Sequence, residues 1–208
     1  MFVTLEGVEG AGKSTLMSLL AAQLEARSLP FIRTREPGGC SLGASIRPLL
    51  LNVSSHVDDR AELFLFLADR AQHVAETIRP ALERGEWVLC DRYADSTIAY
   101  QGYGRGMNVD RLQELNEYAT HGLWPDKTIL LDLPVETGLA RALARNGREG
   151  LSLSEGRFES EELAFHQRIR EGFLLRAKRW PERFCVLDAR LAPEELLLQA
   201  LHALNLSC

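Results

Sequence analysis

Short apolar runs rich in β-branched residues alternate along the chain with longer amphipathic stretches. Several of the runs are apolar at successive positions, which is typical of strands in a parallel sheet that helices cover on both faces. This alternation predicts βαβ units. The predicted strands are Phe2–Leu5, Phe31–Thr34, Trp87–Cys90, Thr128–Leu133 and Phe184–Leu187.

The amphipathic stretches predict the helices that connect these strands. Crossovers between parallel strands are almost always right-handed, so five strands joined by helices predict a three-layer α/β fold around a five-stranded parallel sheet. The ligand of such a fold is expected at the carboxyl edge of the strands. The predicted helices are Lys13–Ala26, Ser41–Leu51, Asp58–Leu82, Asp110–Thr120, Val135–Asn146, Glu159–Lys178 and Pro193–Leu204.

The chain has no internal repeat and no Pro- or Ser-rich linker, so residues 1–208 are predicted to form a single domain. One segment differs from the rest, because residues 145–157 hold three glycines and three arginines and are too polar for a core element. From the residues alone, two interpretations of this segment stay open, a solvated connection and a functional loop.

Composition narrows the class of protein. With 208 residues, 46% hydrophobic and 25% charged, the chain is close to an average soluble globular domain. Its 24 Lys and Arg against 29 Asp and Glu give a net charge of −5, which argues against nucleic acid or an anionic membrane as a partner. We expect a cytoplasmic protein, because no basic leader and no apolar run near the roughly 20 residues of a membrane span occurs. The cysteines form no CxxC pair, which favours a reducing compartment: Cys40, Cys90, Cys185 and Cys208.

A phosphate-binding motif follows the first predicted strand. Residues 7–14, GVEGAGKS, match G-x-x-x-x-G-K-[ST] and lead directly into a predicted helix, which makes a plain glycine-rich turn the weaker interpretation. Backbone N–H groups and the helix N-terminus would bind phosphate, Lys13 would contact the β- and γ-phosphates, and the Ser14 hydroxyl would ligate Mg²⁺. The predicted ATP-binding residues here are Gly7, Val8, Glu9, Gly10, Ala11, Gly12, Lys13, Ser14 and Thr15.

The residues after the third predicted strand favour phosphoryl transfer. No [NT]-K-x-D sequence is present, as a guanine-specific GTPase would need, and no strand ends in the Asp-Glu pair common in motor ATPases. The strand ends instead in Asp91-Arg92, where the carboxylate can hold Mg²⁺ and the guanidinium can bind a second phosphate. Another nucleoside monophosphate kinase, and a P-loop ATPase or nucleotide-sensing module, remain alternatives.

Four blocks in succession resemble the signatures of bacterial thymidylate kinases: Gly7–Thr15, Thr34–Gly39, Phe66–His73 and Asp91–Gly102. The resemblance extends over nearly the whole chain. It implies a P-loop nucleoside monophosphate kinase fold and the reaction ATP + dTMP → ADP + dTDP with Mg²⁺. It also implies a homodimer.

Phe66 and Arg70 lie four residues apart, so on a helix they share one face. A ring can stack on a base while the guanidinium donates a hydrogen bond to O4 of thymine. Cytosine has an amino group at that position, which cannot accept this hydrogen bond. From the residues alone a core aromatic would be the stronger interpretation of Phe66. The resemblance implies instead that both residues contact the pyrimidine.

Other acceptor contacts follow from the same resemblance. Arg47 and Arg92 are predicted to hold the acceptor phosphate, because two anionic groups must be neutralised together. Arg35 is a further candidate, with a solvated pair to Glu36 as the alternative. The resemblance implies that Glu9 contacts the 3′-hydroxyl and that Tyr100 crowds the 2′ position. The remaining residues that it places in the dTMP site are Thr97, Gln101 and Glu159.

The catalytic arginine is predicted in the lid. No basic residue lies between Gly7 and Gly12, and residues 145–157 occupy the lid position of the family. Arg145 is the first candidate and Arg148 the alternative. The resemblance further implies that Arg157 lies near the donor nucleotide. The five histidines are interpreted as structural or exposed: His56, His73, His121, His166 and His202.

Overall fold

The computed structural model describes residues 1–150, 154 and 156–206. Five strands form one parallel sheet in the order β2-β3-β1-β4-β5, with helices on both faces. The predicted fold class is therefore confirmed. The strands are β1 (Phe2–Glu6), β2 (Phe31–Arg35), β3 (Trp87–Asp91), β4 (Lys127–Asp132) and β5 (Phe184–Asp188).

The helices lie close to their predicted positions. Two π-helical segments, Val74–Ile78 and Ile98–Gly104, continue α3 and α5. No helix among the residues that the structure describes is both long enough and apolar enough to cross a membrane. The α-helices are α1 (Lys13–Ala26), α2 (Ser41–Leu51), α3 (Asp59–His73), α4 (Arg79–Glu83), α5 (Ala94–Thr97), α6 (Val109–Thr120), α7 (Val135–Glu149), α8 (Leu163–Arg179) and α9 (Pro193–Ala203).

The sheet register brings the two phosphate-binding segments together. Strand β1 lies between β3 and β4, and Leu5 pairs with Asp91 on one side and with Ile129 on the other. All five residues of β1 are buried, as expected for a central strand whose two faces are covered. The chain therefore leaves β1 and β3 at the same edge of the sheet, next to each other.

Three predicted helices need correction, and one helical segment was not predicted. The predicted helix Asp58–Leu82 is interrupted by the first π-helical segment, and residues 94–104, for which no helix was predicted, are helical. Helix α7 continues to Glu149, because its last turns pack on the domain through the buried Asn146. Helix α8 begins only at Leu163.

The lid segment predicted at residues 145–157 consequently starts inside α7. Its residues 151–153 and 155 lie outside the described residues. The prediction of a single domain remains a prediction.

Candidate active site

One cleft lies at the carboxyl edge of the sheet and contains residues from seven segments of the chain. The glycine-rich loop after β1 forms one end, and the second half of α7 lines the cleft beside it. Helices α2 and α3 and the segment 92–101 form the other end. Of the predicted site residues, those that line the cleft are Glu9, Gly10, Ala11, Gly12, Lys13, Ser14, Thr15, Arg47, Phe66, Arg70, Asp91, Arg92, Thr97, Tyr100, Gln101, Arg145, Arg148 and Glu159.

The loop after β1 has the backbone of a phosphate cradle. Gly7, Gly10 and Gly12 have φ values of 138°, 69° and 95°, which residues with a Cβ rarely adopt. A Cβ on Gly10 would overlap the carbonyl oxygen of Gly138 in α7, so the loop and α7 approach as closely as two backbones can. Helix α1 begins at Lys13 and adds the positive end of its dipole.

Lys13 is buried at the bottom of this loop. Its Nζ donates to the carbonyl oxygens of Gly7 and Val8, each at 3.1 Å. Burial, together with the nearby guanidinium of Arg92, lowers the pKa of Lys13 to about 8. A bound polyphosphate would compete with these carbonyls for the ammonium group.

Two oxygens at the mouth of the cradle fit a divalent cation. The hydroxyl of Ser14 is exposed to the cleft, and Oδ1 of Asp91 is buried without a hydrogen-bond partner. A buried carboxylate oxygen left without a donor is costly unless a cation or water completes it. The residues present therefore fit Mg²⁺.

Arg92 connects the cradle to the other end of the cleft, which α2, α3 and residues 92–101 form and which we name the acceptor end after its predicted role. It has a φ of 68° although it is not glycine, a strained conformation typical of functional sites. Its Nη1 donates to the Gly7 carbonyl at 3.1 Å, its Nη2 lies 3.2 Å from Glu9 Oε1, and its guanidinium stacks over the Tyr100 ring. Arg92 is thus held between the two ends of the cleft.

Glu9 is buried beside polar side chains, and its Oε1 is hydrogen-bonded while its Oε2 has no hydrogen-bond partner among the described residues. The Tyr100 hydroxyl donates to Oε1, and Nδ1 of the fully buried His166 lies 3.3 Å from Oε2. Burial alone would raise the pKa of the Glu9 carboxyl, but His166 and the charge of Arg92 hold that pKa below its usual range. His166 was interpreted only as structural or exposed. Its contact with the cradle could not be found from sequence, since the two residues are far apart in the chain.

The acceptor end is built around Arg70, which is fully buried. Its Nε and Nη2 contact Glu36 Oε2 at 2.8 and 2.7 Å, and its Nη1 donates to Thr97 Oγ1 at 2.8 Å and to Asn116 Oδ1 at 2.6 Å. Glu36 accepts from His73 as well, at 2.9 Å, so its partners are Arg70 and His73. Glu36 was not predicted as part of the site.

Phe66 is half-buried and lies one turn before Arg70 on α3. Its ring lies 6.3 Å from the ring of Phe158 and borders the cleft. The side chain is therefore neither a core aromatic nor a free surface residue, and one of its sides is available to a ligand.

The lid end contains arginines on one side of α7. Arg145 is hydrogen-bonded to Asn146 and lies 3.7 Å from Glu159, while Arg148 is exposed one turn later. Arg141 was missed by the sequence analysis, although it lines the cleft next to Gly10. The spacing of Arg141, Arg145 and Arg148 places them on one face of a helix and was the available signal.

Arg157 does not line the cleft. It is nearly buried and forms an ion pair of 2.7 Å with Glu62 of α3. The structure therefore does not bring it to the cradle, where the resemblance placed it. The lid chain returns to the body of the protein at this point, and the buried carboxylate of Glu62 attracts the guanidinium.

A phosphate cradle and a second group of guanidinium groups face each other across one cleft of a five-stranded parallel sheet. This arrangement defines a P-loop kinase of the nucleoside monophosphate class. The family model described as "Thymidylate kinase" matches residues 5–199, and the chain therefore belongs to the thymidylate kinase family.

Individual relatives agree with this assignment. The chain is 57% identical over 206 residues to the thymidylate kinase of Desulfovibrio desulfuricans, covering 99% of this chain and 95% of that protein. It is 54% identical to the thymidylate kinase of Nitratidesulfovibrio vulgaris, strain Miyazaki F, covering 99% and 96%. The crystal structure of thymidylate kinase from Ehrlichia chaffeensis superposes with a TM-score of 0.77 at 32% identity, covering 98% of both chains. The resemblance seen in the sequence is confirmed.

Proposed function

We propose that this protein transfers the γ-phosphoryl group of ATP to the 5′-phosphate of dTMP, giving ADP and dTDP. The observation that carries the proposal is the single cleft in which the glycine-rich cradle and the Phe66–Arg70 face of α3 lie at opposite ends. Two nucleotides placed end to end in it would bring their phosphates together beside Arg92. Membership of the thymidylate kinase family supports the same reaction.

The donor would bind in the cradle, with residues 7–15 around its phosphates and Lys13 released from the Gly7 and Val8 carbonyls. Ser14 and Asp91 would hold Mg²⁺, supported by the unpartnered Oδ1 of Asp91. Bound Mg²⁺ supplies neutralisation of the charge on the donor phosphates.

The thymine base would stack on Phe66. Four of the five N–H groups of Arg70 are taken by protein oxygens, which leaves one N–H of Nη2 for a base acceptor such as O4 of thymine. Because the other four N–H groups are held by protein oxygens, the guanidinium cannot turn away from a base that places a donor opposite the remaining N–H. Two donors would then face each other. This supports discrimination against cytosine.

The sugar and phosphate of dTMP would lie between base and cradle. Glu9 would accept from the 3′-hydroxyl, Tyr100 would crowd the 2′ position, and Arg47 and Arg92 would bind the phosphate. Arg47 is held by its Nη1 donating to the Pro37 carbonyl at 2.8 Å, which favours a fixed phosphate site. Thr97, Gln101 and Glu159 complete the proposed dTMP site.

The transition state would be stabilised from α7. We assign Arg145 the principal role, because it lies beside Glu159 and half-exposed over the cleft, with Arg148 as the alternative. Closure of the lid would bring the guanidinium to the transferring group and exclude water, which suppresses ATP hydrolysis.

We further propose a cytoplasmic homodimer. Phe64 on α3 and Tyr118 on α6 are 61% and 83% exposed, and these two helices pack against each other. Large exposed aromatic side chains on adjoining helices are typical of an interface. Sedimentation velocity on the wild type and on Phe64→Asp tests this, since the variant should sediment as a monomer. The free thiols of Cys40, Cys90 and Cys185 support a reducing compartment.

A coupled assay of ADP formation with a panel of acceptors tests the proposed reaction. The panel contains dTMP, dUMP, UMP, CMP, AMP and GMP, each at the same concentration with ATP and Mg²⁺. We expect the highest kcat/KM with dTMP and little ADP without an acceptor. Equal ADP formation with and without acceptors would indicate an ATPase instead, and a preference for another monophosphate would reassign the acceptor.

A further inference from the structure

Glu62 is a fully buried carboxylate that lies outside the cleft and joins three parts of the molecule. Its Oε1 accepts from Gln101 Nε2 at 2.8 Å, and its Oε2 accepts from Arg157 Nη1 at 2.7 Å. Arg105 binds both oxygens, at 3.3 and 3.2 Å. No step of the proposed reaction uses Glu62 directly.

The contact with Glu62 fixes how Gln101 is presented to a ligand. An ionised carboxylate only accepts hydrogen bonds, so the amide of Gln101 must turn its NH₂ group toward Glu62. Gln101 lines the cleft, and with its NH₂ group bound to Glu62 its amide oxygen is the side-chain group left for a ligand. Glu62 thus determines which hydrogen-bonding group the protein offers at this point of the acceptor end.

Arg157 ties the returning lid chain to the same carboxylate. Its backbone N–H donates to the Leu51 carbonyl at 3.1 Å, and its Nη1 donates to the Leu50 carbonyl at 3.0 Å as well as to Glu62. These partners lie at the end of α2 and on α3, the helices that also carry Arg47 and Phe66. The described hydrogen-bond and ion-pair partners of its guanidinium are therefore on the acceptor side.

We propose that Arg157 is a positioning residue for the acceptor nucleotide, acting through Glu62 on Gln101, and that it does not contact the donor nucleotide. This inference rests on the proposed function for the identity of the two nucleotides. Without Arg157, Arg105 is the one partner that Glu62 Oε2 keeps among the described residues, and the carboxylate is free to rotate toward that guanidinium and away from Gln101. Arg157, at the point where the lid chain rejoins the body of the protein, would then control the affinity for dTMP.

The test compares dissociation constants for dTMP and ATP, measured by calorimetry on full-length protein, with KM values for both. Arg157→Met removes the guanidinium and keeps an unbranched stem of similar length. We expect its dTMP constant to rise roughly tenfold, the scale of one lost charged hydrogen bond, with its ATP constant within about twofold of wild type. Arg157→Lys should restore most of the dTMP affinity, because an ammonium group can still bind Glu62.

Glu161→Gln is the matched control, since it removes another carboxylate of this cluster, the one that binds Arg105 at 2.6 Å, and leaves the Arg157–Glu62 pair intact. Both nucleotide constants should stay near wild type in it. Glu62→Gln combined with Arg157→Met should be no worse for dTMP than Glu62→Gln alone. Thermal melting identifies any variant that fails to fold. If Arg157→Met fails, Glu62→Gln against wild type decides, because it breaks the same pair and should raise the dTMP constant alone.

A rise in the ATP constant, an equal rise in both constants, or no change in either would overturn the inference. Wild-type turnover in the acceptor panel tests the proposed function separately. The binding ratio in Arg157→Met is read without turnover, so failure of one does not imply failure of the other.

Discussion

The acceptor end and the lid end of the cleft both use arginine, but in opposite environments. The Arg70 side chain is 1% exposed and its charge is matched by Glu36 at 2.7 Å. The Arg145 side chain is 44% exposed and its nearest carboxylate, Glu159, is 3.7 Å away. Folding therefore completes the ion pairs of the acceptor end, whereas the lid end keeps a half-exposed cation that a ligand can reach.

The same type of side chain therefore stabilises the fold in one environment and stays accessible to a ligand in the other. Removing a buried, paired guanidinium leaves an unpaired carboxylate inside the protein. Removing a half-exposed guanidinium leaves no uncompensated buried charge in the free enzyme. Equivalent Arg→Ala substitutions should therefore reduce stability at one end and turnover at the other.

The largest effect is expected from the lid. Arg145→Ala should lower kcat for dTMP roughly a thousandfold, since arginines that neutralise a transferring phosphoryl group contribute on this scale. Its free energy of unfolding should stay within about 0.5 kcal/mol of wild type. Steady-state kinetics and urea unfolding measure the two quantities.

Arg148→Ala is the companion variant, and we expect a clearly smaller loss of kcat from it. A larger loss in Arg148→Ala than in Arg145→Ala would move the catalytic role one turn along α7. Unchanged turnover in both variants would show that the lid does not supply the catalytic cation.

At the acceptor end, Arg70→Ala should lower the free energy of unfolding by about 3 kcal/mol, because Glu36 stays buried with only His73 to compensate it. Urea unfolding monitored by circular dichroism measures this loss. Arg70→Ala combined with Glu36→Gln should recover part of it, because the uncompensated charge is gone. A stability equal to that of Arg145→Ala would remove the contrast between the two ends.

Lys13 predicts a pH dependence of donor binding. Its pKa is lowered to about 8 by burial and by Arg92, so the free protein loses the ammonium charge as the pH rises through that value. ATP should bind about tenfold more weakly at pH 9 than at pH 7, because only the protonated lysine attracts phosphate. Calorimetry at the two pH values measures this change. Lys13→Arg stays charged, and a fall as steep in that variant as in wild type would assign the effect to another group.

The smallest effect concerns Cys40, which precedes α2 beside the acceptor end. Its Sγ accepts from the Gly43 N–H at 3.3 Å and so caps the helix with a weak acceptor. Cys40→Ser should raise the free energy of unfolding by about 0.5 kcal/mol and leave kcat/KM for dTMP unchanged. Differential scanning calorimetry can detect this change, and a loss of stability would show that the thiol is held by packing rather than by its capping contact.

The fold could be predicted from sequence because its signals are local. The five strands are short apolar runs, and the glycine-rich loop carries its own motif. Residues 94–104 were missed as helix, since serine, threonine, glycine and tyrosine are weak helix formers. Packing against α8 stabilises that segment as a π-helix, and such contacts between distant parts of the chain are not visible in local propensity.

Site residues could be predicted where they belong to a sequence motif. They could not be predicted where their position depends on a side chain that is distant in the sequence. Phe66, Arg70 and Asp91 were found as single positions. Glu36, the partner of Arg70, was not found, because the two residues approach each other only after folding. The same holds for Glu62 and Arg157. The placement of Arg157 illustrates the limit, since a motif gives a residue's position in the family pattern but not which carboxylate it meets.

We propose that a preformed base site and a recruited lid arginine act on two nucleotides bound end to end. A crystal structure with adenosine and thymidine joined through their 5′ positions by five phosphates tests it most directly. We predict thymine against Phe66 with the Arg70–Glu36 pair unmoved, and the Arg145 guanidinium shifted onto the phosphate chain. A structure in which Arg70 has left Glu36 while Arg145 and Arg148 stay away from the phosphates would contradict the account.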